Sequence, residues 1–572
     1  MKSKKQPPTD ARVLAIPAGQ ESVIEPVVQA QGKGRLENLL RTKIDIKQPN
    51  RLWFLVLLFG WVFDFLFWER SVGINFALFS ALCLIGGMVL LFAEGYRPAW
   101  TSLWLLLPFA FFVIITFVRQ EPLTIFLAYT VTVLTMGLLA ITYLGGRWFC
   151  YGPADYFNKL LRLFAGVIYL PMEFRAQVRK AQAEIGQTKK SLNLWPFLRG
   201  LVIALPIVAV FAALLASADV VFSQKLGDFF DLFNFGHLAE YILRLILISI
   251  CAYLLGGGFL FAASQSKDEE IIAEPKPVLT ALLGFTEASV VLGSVSLLFI
   301  AFVIIQFQYF FGGETNIGVT GYTYSQYARR GFNELVIVAF FSLVMILGLG
   351  TVTRRDKEIE KRVYSGLSTG LVALVMIILV SAYQRISLAI DWHGFSRLRL
   401  YPRVFLIWLG ILLVAVVVLE IFQRERYFAF AAILASLGFA VSLTLTNVDA
   451  AIVRHNVPRV LDGKNLNVSH LASLSFDAVP ALVDEYNSSS YSQDVHEGIG
   501  AALLCYLNTD TLPGGYDRDW RAFNLSRWRA HIALQNVQVS LQEYGIKRFP
   551  WRVRTPGNAL YECHYDSSRE EE

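Results

Sequence analysis

The residues best placed to do chemistry in this chain are ionisable side chains set in or beside long apolar stretches. Asp219 closes one such stretch in LLASADVVF, and Glu240 and Arg244 open the next. The i,i+4 spacing of that pair puts both on one helix face. Arg330 and Glu334 repeat the spacing in YSQYARRGFNEL, and Arg385 ends a later stretch in SAYQRISL. The connection DWHGFSRLRLYPR adds Asp391, His393, Arg397, Arg399 and Arg403, and Asn447, Asp449, Arg454 and His455 follow the last stretch. A charge inside a bilayer is costly unless it is paired or hydrated. Two chemistries follow. Either Asp219, Glu240, Glu334, Asp391 and Asp449 hold the arginines in an ion-pair network, or planar guanidiniums are left to bind a carboxylate or phosphate. The sharpest expectation is that Asp219, Arg330, Glu334 and Arg385 converge in one buried or semi-buried cluster, capped by His393 and Arg397.

Other site chemistries lack their residues. GQTKKS at 186–191 has no second glycine and no preceding strand, so it is not a phosphate-cradling loop. HExxH, CxxC and EF-hand patterns are missing, and the seven histidines are scattered. No cofactor and no metal is expected. Cys505 and Cys563 are the two cysteines of the C-terminal portion. They would pair in an oxidising compartment or stand as two unrelated thiols.

The elements that must position these residues are membrane helices. The chain has 572 residues, 55% of them hydrophobic and 17% charged, with mean hydropathy +0.49. A hydrocarbon core about 30 Å thick needs roughly 20 apolar residues of helix. Eleven stretches qualify, near 52–68, 72–93, 99–118, 122–144, 198–222, 238–263, 285–311, 331–352, 364–388, 403–420 and 427–446. Continuous apolar runs without alternation mean helices rather than a barrel. The fold class is therefore an all-α polytopic transmembrane bundle of about eleven spans, with a small, mainly helical C-terminal extracytoplasmic domain at 447–572.

Charge orients it. Arg41, Lys43, Lys47 and Arg51 precede the first span, and the connection 145–197 carries eight further Lys and Arg. Arg354, Arg355, Lys357, Lys361 and Arg362 follow the eighth span, and Arg424 and Arg426 the tenth. Eleven spans put all four clusters on one side, the cytoplasmic one. The N-terminus is then cytoplasmic and the C-terminus outside. The net charge of +6 is explained by these loops and implies no nucleic acid. Residues 1–34 read as a disordered tail and 35–51 as a basic juxtamembrane segment. The spans divide into a four-helix region at 52–144 and a seven-helix core at 198–446. Between them, YFNKLLRLFAGVIYLPMEFRAQVRKAQAEI has the pattern of an interfacial helix, broken near Pro171, that either rests on anionic lipid headgroups or packs against a cytoplasmic partner.

The segments GFTEASVVLGSVSLLFIAFVIIQFQYFFGG, YSQYARRGFNELVIVAF, SAYQRISLAIDWHGFSRLRLYPRVFLIWL and NVDAAIVRHNVPR carry a resemblance. They are similar to a bacterial multi-pass membrane family known only as a domain of unknown function, with a YARRGF-x-EL signature. The likeness covers roughly 200–570. It implies a bacterial cell-membrane location and the same architecture, and it supplies no catalytic residue, cofactor or substrate.

Three functions remain distinct. One is a non-enzymatic receptor, assembly or sensor module whose outer portion binds a partner. The second is a transporter or flippase with an outward cavity lined by Asp219, Arg330, Glu334 and Arg385. The third is a transferase on a lipid-linked substrate, using an outer carboxylate as base.

Overall fold

The computed structural model describes residues 46–184, 238–267, 283–311, 332–354, 357–511, 519–547 and 551–563, with scattered positions between 200 and 225. The expected tail at 1–34, most of the flank at 35–51 and much of the expected fifth span lie outside the described residues, as does Arg330.

Among the described residues the long helices run from α1 (Pro49–Phe67) and α2 (Ile74–Ala93) through α3 (Trp100–Val118), α4 (Pro122–Thr142) and α5 (Pro153–Glu184). They continue as α6 (Leu238–Ser264), α7 (Phe285–Phe311), α8 (Phe332–Val352), α9 (Glu358–His393), α10 (Arg397–Ile421) and α11 (Phe428–Thr446). Among the described residues nine are long and apolar enough to cross a membrane. Of the rest, α5 is too polar, and the apolar part of α8 is shorter, Glu334–Gly350. Large apolar side chains point outward all round, Phe54, Trp100, Leu297 and Phe341 among them. Only lipid makes such a surface tolerable. This is an integral membrane protein.

Several buried apolar clusters hold the bundle together among the described residues. Leu292, Ala339, Leu371, Val375 and Leu413 are fully enclosed where α7, α8, α9 and α10 meet. Phe112, Ala128 and Ala440 join α3 and α4 to α11. The ends of the helices sort onto two faces. On one, the Lys47 amide donates to Glu94 at 2.7 Å, Gly145 pairs with Lys267, Leu283 pairs with Thr353, and Trp148 meets Phe430.

Against the opposite face lies a C-terminal layer. It comprises α12 (Val448–Asn456), α13 (Val468–Ala472), α14 (Val479–Tyr486), α15 (Gln493–Thr511), α16 (Leu525–Val537) and three short antiparallel strands in the order β1 (Gly545–Lys547), β2 (Arg552–Arg554), β3 (Leu560–Glu562). Ile452, Leu482, Ile499, Leu503, Leu534 and Val553 form its core. A disulfide joins Cys505 to Cys563, with Cα atoms 5.6 Å apart.

One expectation about α5 changes. The helix is not broken at Pro171 but runs through it. Proline has no N–H and crowds the preceding turn, which leaves the Val167 carbonyl without its usual partner. α6 accommodates this turn: the Tyr253 hydroxyl donates to the Ile168 carbonyl, and Gly257 packs directly on the Val167 carbonyl. A Cβ at Gly257 would lie 2.1 Å from that oxygen, so only glycine fits.

Candidate functional site

The charged residues singled out in the sequence fall into separate contacts. Arg244 donates to Asp64 through Nε and Nη2, the latter at 2.6 Å, and lies 3.6 Å from Glu240. This triad ties α6 to α1. Asp219 is exposed, and its carboxylate accepts from the Val221 amide at 2.8 Å, a local helix-start contact. Glu334 is exposed at the start of α8, whereas Arg385 is buried in α9. These described side chains therefore do not form the single buried cluster their sequence positions suggest. Both carboxylates sit at a helix start, where water or backbone amides can solvate them.

The second set gathers at the junction of bundle and C-terminal layer. Arg397, at the start of α10, donates to Asp449 through Nε at 2.8 Å and Nη2 at 2.5 Å. Asp449 is fully buried in α12 and also accepts from the Ser475 amide at 2.7 Å. Asp477 accepts from the amides of Gln120 and Glu121, at 2.7 and 2.9 Å, in the turn between α3 and α4. Arg119 approaches the same carboxylate at 3.9 Å and donates to the Thr444 carbonyl. Burial pushes the Asp477 carboxyl above its ordinary value, against the pull of those amides and of Arg119. Glu121 caps α4, accepting from Leu123 and Thr124 amides, and receives the Tyr401 hydroxyl. Near α1 and α2, Arg521 donates to the Phe65 carbonyl and the Ile74 amide donates to the Phe523 carbonyl. These contacts clamp the layer onto the bundle, and they account for Arg397 and Asp449 structurally.

Beside the clamp opens a cleft of about 890 Å³. The end of α9 supplies Trp392 and His393, the start of α10 supplies Arg399, and α12 with the following loop supplies Asn456, Arg459 and Lys464. His470 from α13 and Tyr561 from β3 complete the wall. No carboxylate lines it among the described residues. Arg459 donates to the carbonyls of Ile390 and Asp391, and Arg399 to that of Gly394 at 2.9 Å. Carbonyl acceptors at a helix C-terminus satisfy hydrogen bonds and answer the helix dipole, but they carry no formal charge. Lys464 sits 5.1 Å over the Trp392 ring and has no acidic partner among the described residues. The Asp391 carboxylate lies outside the lining, and only its carbonyl takes part.

Asn456 fixes the shape of the cleft. Its carboxamide accepts from the Phe395 amide at 2.7 Å and donates to the Phe395 carbonyl at 2.8 Å. The chain can turn there because Gly394 adopts φ +78°, with Asn456 and Arg459 filling the space a Cβ would take. His455 stacks on Phe395 with centroids 3.8 Å apart. The Nε2 atoms of His455 and His470 are buried and have no hydrogen-bond partner among the described residues. Burial holds both imidazoles below their ordinary pKa, helped by Arg459 for His455 and Arg397 for His470. Such a constellation can bind an anion. It contains no nucleophile–base pair, and among the described residues no group of three His, Cys, Asp or Glu could hold a metal.

Sequence reasoning passed over Asp64, Glu121, Asp477, Arg459, Lys464 and His470. For Asp64 the signal was present, a lone carboxylate in WVFDFLF of the first span that requires a partner. A family model described as a domain of unknown function (DUF4153) matches residues 106–485, from within α3 into α14. Comparison with curated proteins and with solved structures finds no match.

Proposed function

For a chain that belongs to the family described as a domain of unknown function (DUF4153), we propose a non-enzymatic receptor module, a membrane-anchored helical layer that binds an anionic ligand in its cleft. The observation that carries this reading is a lining with His393, Arg399, Arg459, Lys464 and His470 and no carboxylate among the described residues. Arg and Lys side chains suit phosphate or carboxylate charge. A transferase would need an available carboxylate as base, whereas Glu121, Asp449 and Asp477 are already engaged by several donors each.

In this reading residues 447–572 form an extracytoplasmic domain of a cell-membrane protein, and the basic connections face the cytoplasm. The Lys and Arg bias supports that orientation, and so does a disulfide in the C-terminal layer. α5 then lies along the cytoplasmic interface. Its outward stripe of Phe157, Leu161, Phe164, Ile168 and Met172 meets acyl chains, while Arg175, Arg179 and Lys180 meet anionic headgroups.

The test is calorimetric titration of the purified full-length protein in neutral detergent with inorganic pyrophosphate. Saturable binding weakened about tenfold or more by Lys464→Glu is expected. Absence of saturable binding would remove the receptor reading.

A further inference from the structure

The two helices that floor the cleft also carry a groove running down toward the middle of the bundle. Between them α9 and α10 form an open apolar groove of about 470 Å³ whose walls include Met376, Val380, Tyr383, Ile407, Gly410 and Val414. On α10, Arg399, Arg403, Ile407, Gly410 and Val414 recur every three or four residues and so share one helix face. The upper end of that stripe lines the cleft and the lower end lines the groove.

Arg403 stands between them. Its Nε donates to the Tyr383 hydroxyl at 3.1 Å, its guanidinium lies 5.3 Å over the Tyr383 ring, and it has no acidic partner among the described residues. From Arg403 to Val414 the helix rises about 16 Å. That is roughly half of a hydrocarbon core about 30 Å thick, the depth of one leaflet.

The groove opens sideways. Val380, Ile407, Ile411 and Val414 are each about half exposed on its rim, so its natural neighbour is lipid. Gly410 keeps the floor low, since the nearest atom to a Cβ there is Met376 Cε at 3.7 Å. At the mouth Trp392 is 56% exposed. An exposed Trp beside basic side chains suits the headgroup level of a membrane.

We infer that the ligand of the cleft is a phosphate-headed lipid, its headgroup held by Arg399, Arg403, Arg459 and Lys464 and its acyl chain laid in the α9–α10 groove. The inference rests on the receptor reading and adds the chain to it. A soluble phosphorylated compound shares the headgroup chemistry but has nothing to place in the groove. Ordinary boundary lipid would fill the groove without regard to headgroup charge.

The experiment uses full-length protein, delipidated and then equilibrated with vesicles of equal phosphatidic acid and phosphatidylcholine. Retained lipid is counted by native mass spectrometry, and glycerol 3-phosphate titration serves as the chainless arm. Two variants separate the parts: Lys464→Glu reverses charge in the cleft, and Gly410→Leu fills the groove while improving helix propensity, so it should fold. One phosphatidic acid retained per chain, lost about tenfold in either variant, is the expected result. Glycerol 3-phosphate binding as tightly as the lipid, with Gly410→Leu silent, would overturn the lipid assignment and leave an anion receptor. Equal retention of phosphatidylcholine would also overturn it, reducing the groove to boundary lipid. No anion bound in any arm would bring down the receptor reading as well.

Discussion

Arg397 grips Asp449 with a two-pronged hydrogen bond, 2.8 Å from Nε and 2.5 Å from Nη2, and the Ser475 amide takes the same carboxylate at 2.7 Å. Three segments distant in sequence, the start of α10, the helix α12 and the strand of chain before α14, thus share one buried acid. Removing a partner from a buried pair strands the other charge, which costs about 3–5 kcal/mol when the pair is dry. Arg397 keeps a quarter of its side chain exposed, so Asp449→Ala should fall near the lower end, about 3 kcal/mol. Thermal unfolding in detergent measures it. Accelerated hydrogen exchange of the Ser475 amide would place the damage at the clamp, and an unaltered amide would contradict this account.

Asp477 offers a different contrast. It accepts two main-chain amides, from Gln120 and Glu121, more closely than it approaches Arg119. Asp477→Leu should strand both amides at about 1–3 kcal/mol each, whereas Asp477→Asn keeps an acceptor and should cost less. The wild-type carboxyl sits above its ordinary pKa because of burial. Its contribution is therefore complete below the ordinary carboxylate value and is lost as pH rises through the raised one. The Asn variant should flatten that acid-range slope. A slope equal to the wild type would show that another group causes it.

His455 and His470 titrate the other way. Both are held below their ordinary value, so the unfolded chain takes up protons first as pH falls. Stability they contribute is present above an unfolded pKa of about 6.5 and is lost as pH drops toward the folded values. Unfolding temperature should therefore decline between neutral and mildly acidic pH. His470→Gln should reduce the decline, and an unchanged pH profile in that variant would count against the assignment.

Much of the framework was legible in the residues. The apolar stretches announced the helices because lipid imposes one rule on every span, and the Glu240–Arg244 spacing reads directly as a shared face. The cleft was not legible. Arg459, Lys464 and His470 reach Trp392 and His393 only after the C-terminal layer folds back over the end of α9. Helical spacing within one segment carries no record of such a return. Glu121 and Asp477 were hidden for a related reason. Their partners are main-chain amides in another segment or at a cap, which no side-chain pattern advertises. The expectation for Pro171 failed because propensity was judged without α6, whose Tyr253 and Gly257 accommodate the displaced carbonyls.

That accommodation can be tested separately. Gly257→Leu would force a side chain into the Val167 carbonyl and should loosen α5 from α6 by about 1–3 kcal/mol or more. Tyr253→Phe removes only the hydrogen bond to Ile168, at about 1 kcal/mol. Limited proteolysis near Arg175 and Lys180 reads out α5 docking. The expected order of susceptibility is Gly257→Leu, then Tyr253→Phe, then wild type. A fully resistant Gly257→Leu protein would mean the helices can separate without loss.

Orientation gives the last prediction. The loop between α1 and α2, the turn at Gln120 and the end of α11 all meet the C-terminal layer, while the ends marked by Glu94, Gly145, Lys267 and Thr353 lie on the opposite face with the basic connections. Lys and Arg favour the cytoplasmic side, and the proposed orientation therefore predicts the layer outside. In a background where Cys83, Cys150 and Cys251 are replaced by Ala and the Cys505–Cys563 bond is kept, two single cysteines decide the matter. Ser489 is exposed in the C-terminal layer and Lys180 is exposed on α5. A thiol reagent unable to cross membranes should label Ser489→Cys in intact cells and Lys180→Cys only after lysis. The reverse pattern would invert the molecule, and it would place the basic cleft and its anionic ligand in the cytoplasm.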